Sequence, residues 1–482
     1  MSGVFLINPG INAKKNLGFT KRFAVKVPPL GLAYMGAKLL NNGEEVFLID
    51  QFAEEIDDND LIAKVLAVEP ELVAITLLTA SASRTKKICL TLKKYLNPRQ
   101  KIVLGNIHAA IFYQSILEEG WADIIVRGEG EYILPEILQA LRLNLGLNHI
   151  EGISFFEEGK VITNTPANQI KELDCLPFPA WELYNLDKYQ TNTILSYGKK
   201  ILPVITSRGC PWRCPFCSQN HFWDNTYLRD PVLVAEEIKI NITKFGVHHF
   251  TFHDANFPTT KEYGLKICKE IKRLGLQQKM TFVTEARIEV FDEELIAELA
   301  SAGCCALMFG IESGSERVRA TVKKNFSNKQ IAKVVNYCTK YKLHTMGLFL
   351  IGLPGETRSD VIETIKFSQS LPLHLAKYNI VVPYPGSALF NQLPNKDKMN
   401  VDDFDRIATF YADKFSALTV NEFMDHHELD LLQKKALISF YLRPQAVWRL
   451  IKNGPISITD IGVGGLSLLL SGTRFIKKHF QQ

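Results

Sequence analysis

No stretch of this chain stays apolar for the roughly 20 residues that a membrane-spanning helix requires, so an integral membrane protein is not expected. Charge of one sign is scarce as well: the net charge is only +5 over 482 residues. With no Lys/Arg-rich block, basic arm or RNA-binding signature, no nucleic-acid partner is expected. No internal repeat or low-complexity tract stands out. The start, Met1–Ile7, is strand-like and has no charged region ahead of an apolar run, so no signal peptide is expected. The nine cysteines are an odd number. Without a signal peptide they point to a reducing, cytoplasmic compartment and to metal chemistry, not to a disulfide framework.

What is present reads as α/β. Apolar residues make up 46% of the chain and charged residues 22%, an ordinary globular balance, and the length calls for two or three domains. Up to about residue 145, short apolar strands alternate with amphipathic helices: Val4–Asn8, Glu45–Asp50, Leu72–Thr76, Lys101–Gly105 and Asp123–Arg127 are strands, and Leu30–Asn41 is a helix. Apolar strands separated by helices require a parallel sheet covered on both faces, a doubly wound, Rossmann-like arrangement. Its ligands bind at the strands' carboxyl ends, in the loops Asn8–Gly10, Leu78–Ser83, Gly105–His108 and Gly128–Glu131. Gly152–Thr163 reads as a hairpin and the proline-bearing stretch Pro166–Tyr189 as a linker, giving a 146–195 connector. From 196 to 415 the strand–helix period returns six times, with strands Leu202–Ser207, His249–His253, Met280–Thr284, Ala306–Ile311, Thr345–Ile351 and Tyr378–Val382. Helices Val232–Phe245, Lys261–Leu274, Asp292–Ala302, Asn328–Tyr341 and Arg358–Ser370 separate them. Six such units suggest a partial (β/α)6 barrel of the TIM type, with active groups at the strands' carboxyl ends. Residues 416–482 form a helical C-terminal region. Within it the apolar run Ile461–Leu470, followed by Arg474, Lys477 and Lys478, reads as a packed helix or as a membrane-surface contact.

The sharpest signal is CPWRCPFC, which sets Cys210, Cys214 and Cys217 at C-x3-C-x2-C with no fourth cysteine nearby. Three thiolates can hold three irons of a cubic cluster and leave one iron open, whereas an electron-carrying cluster normally takes four cysteines. A Cys3His zinc site completed by His221, or three free buried thiols, are the other readings of the same residues.

With Phe216 inside the motif and ITSRG leading into it, the chain resembles the radical S-adenosylmethionine (SAM) family. That resemblance implies a 4Fe-4S cluster on Cys210, Cys214 and Cys217, with SAM on the open iron. Strand ends supply the remaining implied SAM contacts: Phe216 and Val382 beside the adenine, Asp254 and Asn256 after strand two, Glu312 and Ser313 in GIESG, and Gly352 in IGLPGE. Glu285, Arg287 and Tyr384 are the catalytic or substrate-holding candidates. His253 can face the pocket, while His248 and His249 read as structural or exposed, because successive strand side chains point to opposite faces. Cys89, Cys175, Cys268, Cys304, Cys305 and Cys338 read as non-catalytic.

The first 140 residues resemble the cobalamin-binding domain often fused ahead of radical SAM domains, through INPG, PPLGLAYMGAKL, GNIHA and VRGEGE. The resemblance implies cobalamin contacts from Asn8, Thr79, Ser81, Gly105, His108, Gly128 and Glu129. It departs in lacking D-x-H-x-x-G, so no axial histidine is offered, and in having Gly105-Asn106 where the family often has Gly-Gly. A flavodoxin-like domain that binds nothing is the alternative. Together the two resemblances imply a cobalamin-dependent radical SAM C-methyltransferase, or a cyclase or rearrangement enzyme of the same group. The substrate would be a small molecule, tilted toward a hydrophobic one by the tail, and the electron donor a flavodoxin or ferredoxin. A non-catalytic cobalamin sensor or zinc protein would lack the series of strand-end motifs.

Overall fold

The computed structural model describes residues 3–10, 26–190, 198–394, 396, 399, 401–404, 419–446 and 449. The apolar run 461–470 lies outside them, so the expected membrane-surface contact does too. Among the described residues no helix is long and apolar enough to cross a membrane.

The first sheet has seven strands: β1 (Val4–Asn8), β2 (Val46–Asp50), β3 (Leu72–Thr76), β4 (Lys101–Gly105), β5 (Ile124–Val126), β6 (Ile153–Glu157) and β7 (Lys160–Thr163), in the order β2-β1-β3-β4-β5-β6-β7. The first five are parallel. Alternating side chains bury both faces. Phe5, Ile7, Val73, Ile75, Ile102 and Leu104 pack on α2 (Asp58–Val68), α3 (Ala82–Leu92) and α5 (Tyr113–Glu118), which follows the short α4 (Ile107–Ile111). Val4, Leu6, Leu72, Ala74 and Val103 pack on α1 (Leu30–Asn41) and α6 (Gly130–Arg142). This is the doubly wound arrangement the strand pattern predicts. The hairpin at Gly152–Thr163 is no loose connector, since β6 pairs antiparallel with β5 and extends the sheet. Strand order reverses between β1 and β3, and the crevice outside their carboxyl ends is where such sheets bind ligands.

The expected linker is a weld. Trp181, Tyr184 and Tyr189 are buried in the core of the second sheet. Tyr184 donates its hydroxyl hydrogen to Pro29 O (2.8 Å) and Tyr189 to Asp50 Oδ2 (2.7 Å).

The second sheet has six parallel strands whose order follows the chain: β8 (Ile201–Val204), β11 (His249–Phe252), β12 (Thr281–Ala286), β13 (Cys304–Glu312), β14 (His344–Ile351) and β15 (Leu375–Ile380). Between β8 and β11 a two-strand hairpin pairs β9 (Ser207–Arg208) with β10 (Tyr227–Leu228). Helices α7 (Pro231–Phe245), α8 (Lys261–Arg273), α9 (Glu293–Ser301), α10 (Asn328–Lys340) and α11 (Arg358–Ser370) alternate with the strands. Each begins on a capping side chain, from Asp230, Thr260, Asp292, Ser327 and Thr357 in turn; such caps contribute about 1 kcal/mol each. One strand face, carrying Phe250, Phe252, Phe282, Leu307, Phe309, Phe349 and Tyr378, packs on these helices. The opposite face carries Thr251, Val283, Glu285, Met308, Met346, Leu348 and Lys377. The last strand starts three residues before the predicted Tyr378 and ends at Ile380, two residues before the predicted Val382. Beyond it, α12 (His426–Tyr441) covers the sheet edge: the Tyr441 hydroxyl accepts from Ala376 N (3.2 Å) and donates to Ala376 O (2.8 Å).

Candidate active site

The cysteine loop hangs from the end of β8. Asp254, in the turn after β11, receives hydrogen bonds from Thr206 N (3.0 Å), Thr206 Oγ1 (2.9 Å) and Ser207 Oγ (2.5 Å). Burial pushes its carboxyl up to about 6, against the pull of those donors. Gly209 has φ +86°, and a Cβ there would lie 2.0 Å from Asn225 O. Only glycine closes the hairpin that brackets the cysteines.

Cys210, Cys214 and Cys217 are free, half-buried thiols, and Cys217 N donates to Cys214 O (3.1 Å). Burial and their neighbouring thiols push Cys210 and Cys217 up, while Lys324 acts in the opposite direction on both. Arg287 reaches this cluster of sulfurs. Its Nη1 donates to Cys214 Sγ (3.3 Å), its guanidinium lies 3.9 Å from the Trp212 ring centroid, and Glu289 pairs with it at 2.5 Å. Among the described residues, no three His, Cys, Asp or Glu side chains converge as they would around a single metal ion. Cys210, Cys214 and Cys217 supply three thiolates with no fourth cysteine in the loop, a donor set that fits a cubic cluster with one open iron.

The expected SAM contacts divide into two groups. Asn256 Oδ1 accepts from Arg287 N (2.9 Å), which ties it to the cysteine side of the site. Glu312 sits at φ +65°, beyond a register shift in β13, and pairs with Lys324 at 2.6 Å. Gly310 makes room for that lysine, because a Cβ would stand 2.6 Å from Nζ. Phe216 packs with Val381 and Leu389, beside Val382. Asp254, Ser313 and Gly352 instead tie loops together. Ser313 Oγ is 3.0 Å from Thr364 Oγ1, and Gly352, at φ +88°, donates its N–H to Glu356 (2.6 Å). Burial pushes the Glu356 carboxyl up to about 7. Glu285 lies on the inner strand face, where its charge partly offsets the burial that lowers His253 and Lys377. Lys324 has no local mark that separates it from a surface residue, and Trp212, although inside CPWRCPFC, has no role that the cysteine spacing assigns.

Between the two sheets lies a cavity of about 1320 Å³. Asn8, Gly105, Gly128 and Glu129 line its side toward the first sheet, while Cys217, Phe222, Trp223, His253 and Tyr384 line the other. The cavity therefore opens both onto the switch point of the first sheet and onto the cysteine loop.

Thr79, Ser81 and His108 do not line this cavity. Thr79 and Ser81 are buried in a 3-10 turn, and Ser81 Oγ donates to Leu78 O (3.1 Å). His108 lies among aromatic rings, 4.6 Å from Phe112 and 5.0 Å from Phe404 between centroids, with Nδ1 3.4 Å from Thr79 Oγ1. Burial lowers it from 6.5 to about 3, so it folds neutral. Its stabilisation is whole above its unfolded value and fades as pH falls toward the folded one, by up to about 1.4 kcal/mol per pH unit. Between about pH 7 and about pH 5, wild type should lose about 2 kcal/mol more stability than His108→Phe, measured by urea unfolding. Equal losses would show that this ring is not the acid-sensitive group.

Residues 204–368 match the radical SAM superfamily and residues 18–138 the B12 binding domain. An uncharacterized methyltransferase of Pyrococcus horikoshii, PH0819, is 32% identical over 422 residues, covering 87% of this chain and 89% of that one. The anaerobic magnesium-protoporphyrin IX monomethyl ester cyclase of Rubrivivax gelatinosus is 27% identical over 79% of this chain and 68% of that one. In fold, the chain is similar to the radical SAM methyltransferase TsrM from Kitasatospora setae, solved with cobalamin and a 4Fe-4S cluster bound. The TM-score is 0.67 at 18% identity, over 80% of this chain and 74% of that one. The two matched domains face each other across one cavity, with Cys217 of the three-thiol loop on its wall, and this chain belongs to the cobalamin-dependent radical SAM methyltransferase family, whose cofactors are a 4Fe-4S cluster, SAM and cobalamin.

Proposed function

We propose that the enzyme methylates an unactivated carbon of a small, largely apolar molecule. The observation that carries this reading is the single cavity joining the switch point of the first sheet to the cysteine loop. When bound, the cluster with SAM supplies a hydrogen-abstracting radical, and cobalamin supplies a methyl group.

The chain's own residues have defined tasks in this reading. Cys210, Cys214 and Cys217 hold iron, and Arg287 keeps a cation against Cys214 so that negative charge on sulfur is met by a donor. Asn256 fixes the Arg287 backbone, and the Glu312–Lys324 pair presents a charged edge for the methionyl end of SAM. Phe216 and Val382 flank the adenine; Asp254, Ser313 and Gly352 hold the loops that carry these contacts. Asn8, Gly105 and Gly128 floor the corrin side. Phe222, Trp223 and Tyr384 supply an aromatic wall that excludes water and suits an apolar substrate. Glu285 lies on the inner strand face and can meet a polar group of the substrate.

In this reading residues 1–145, with the hairpin, form the cobalamin module, and 196–415 form a partial (β/α)6 barrel. Six consecutive parallel strands with helices on one face support the latter. A flavodoxin or ferredoxin supplies the electron, and nine free cysteines fit a cytoplasmic setting.

The test is the fate of a labelled SAM methyl group in anaerobic turnover. Label on a product carbon is expected. An unlabelled product formed along with deoxyadenosine would sink methylation and favour ring closure, the chemistry named for the 27% identical cyclase.

A further inference from the structure

The seam between the two modules holds a buried ionic chain. Arg208, two residues before Cys210, donates from Nη1 to Glu129 Oε1 (2.5 Å) and from Nη2 to Glu131 Oε1 (2.6 Å). All three side chains are nearly buried, at 10%, 12% and 6% exposure. Glu129 Oε2 also accepts from Ile170 N (2.6 Å), so this carboxylate is held by the connector as well. The Arg208 guanidinium lies 5.3 Å from the Tyr34 ring centroid. The Tyr34 hydroxyl accepts from Arg229 Nη1 (3.4 Å), which also donates to Ile205 O (2.8 Å), and Arg229 pairs with Glu237 of α7 at 2.7 Å. Two arginines, three carboxylates and a tyrosine thus run without a break from the β5–α6 turn to the outer helix of the second sheet.

Such a chain is a poor device for stability. Desolvating charges offsets much of the attraction between them, and packed apolar residues of similar size often do as well. Its best-attested use is to fix register. An arginine fork that meets two carboxylates at once is far more directional than apolar packing. Here the two carboxylates stand at the N-cap and in the first turn of α6, on the wall of the cavity, and the arginine is in the short hairpin that carries the cysteines.

We propose that Arg208, with Glu129 and Glu131, is a positioning latch that sets the spacing between the cobalamin face and the cluster loop, and hence the coupling of hydrogen abstraction to methyl transfer. It touches no reacting atom in this role. The inference rests on the proposed methyl transfer for its consequence, though its geometry can be tested without turnover.

The test uses full-length holoenzyme of wild type, Arg208→Gln, Arg208→Lys and Glu131→Gln. Pulsed magnetic-resonance measurement of the separation between cob(II)alamin and the reduced cluster is the primary readout, and methyl transferred per deoxyadenosine formed is the second. Iron and cobalt contents should stay at wild-type level in all four proteins. Arg208→Gln and Glu131→Gln should broaden a narrow distance distribution and lower the coupling ratio about tenfold or more, with Arg208→Lys in between, since it keeps charge without the fork. A narrow, unshifted distribution in both Gln variants would overturn the latch. So would loss of the cluster in Arg208→Gln with an unchanged Glu131→Gln, because Arg208 would then serve only its own loop. If wild type transfers no methyl group but the distances broaden as described, the latch stands and only the proposed reaction fails.

Discussion

Cys214→Ala should leave the purified, anaerobically reconstituted protein without its iron–sulfur cluster and lower deoxyadenosine formation to background, about 10³-fold or more. Cys214 lies between the other two proposed ligands and is the one that Arg287 contacts, at 3.3 Å. Its loss removes an iron ligand and leaves a guanidinium, stacked on Trp212, facing a methyl group. Cys210 and Cys217 cannot hold a cubic cluster as a pair, and no other cysteine belongs to the loop. The control is Cys175→Ala, which removes an exposed thiol and should change neither iron content nor cleavage. Iron retained in full by Cys214→Ala would show that the three-thiolate assignment is wrong. SAM cleavage retained without iron would be still more damaging.

Gly105→Leu should weaken cobalamin binding about a hundredfold while leaving iron content at wild-type level. Gly105 ends β4 at the cavity floor and is not among the glycines with positive φ, so a larger residue meets no backbone strain. Its new Cβ would be in ordinary contact with Val126, at 3.8 Å, leaving the rest of the side chain to enter the cavity. A flat macrocycle needs that floor clear, and a hundredfold loss of affinity, about 2.7 kcal/mol, is expected. Cobalt content and the corrin absorption spectrum measure it. Undiminished cobalt would move the corrin away from β4 and remove the physical basis for joining the two sites through one cavity.

The parts of the fold and site that could be read in advance are those written locally. Alternating apolar strands, capping residues and the C-x3-C-x2-C loop each lie within a few residues of sequence, and the first-sheet strands and the helix starts fell within a residue or two of expectation. Residues whose meaning depends on distant partners were not legible in that way. The family resemblance of its VRGEGE loop implies Glu129 as a cobalamin contact, and it does line the cavity, but its carboxylate is taken by Arg208, 79 residues away. His108, Thr79 and Ser81 stand in strand-end loops, yet short helical turns direct them into the protein, where Phe112 and Phe404 cover the histidine. Lys324 enters beside the cysteines only because Gly310 and the register shift in β13 admit it. Prolines make 166–189 look like a free connector, whereas Trp181, Tyr184 and Tyr189 are buried and anchor it at their positions.

That anchored connector bears on how the two halves can be exchanged. A hybrid enzyme that takes its corrin half from one relative and its cluster half from another is naturally spliced near residue 145, where the doubly wound motif ends. Such a cut would separate Tyr184 and Tyr189 from the Pro29 carbonyl and Asp50 carboxylate they serve. It would also detach the β6–β7 ribbon from its own sheet. Splicing just past Tyr189 transfers ribbon, rings and their partners as one inherited block.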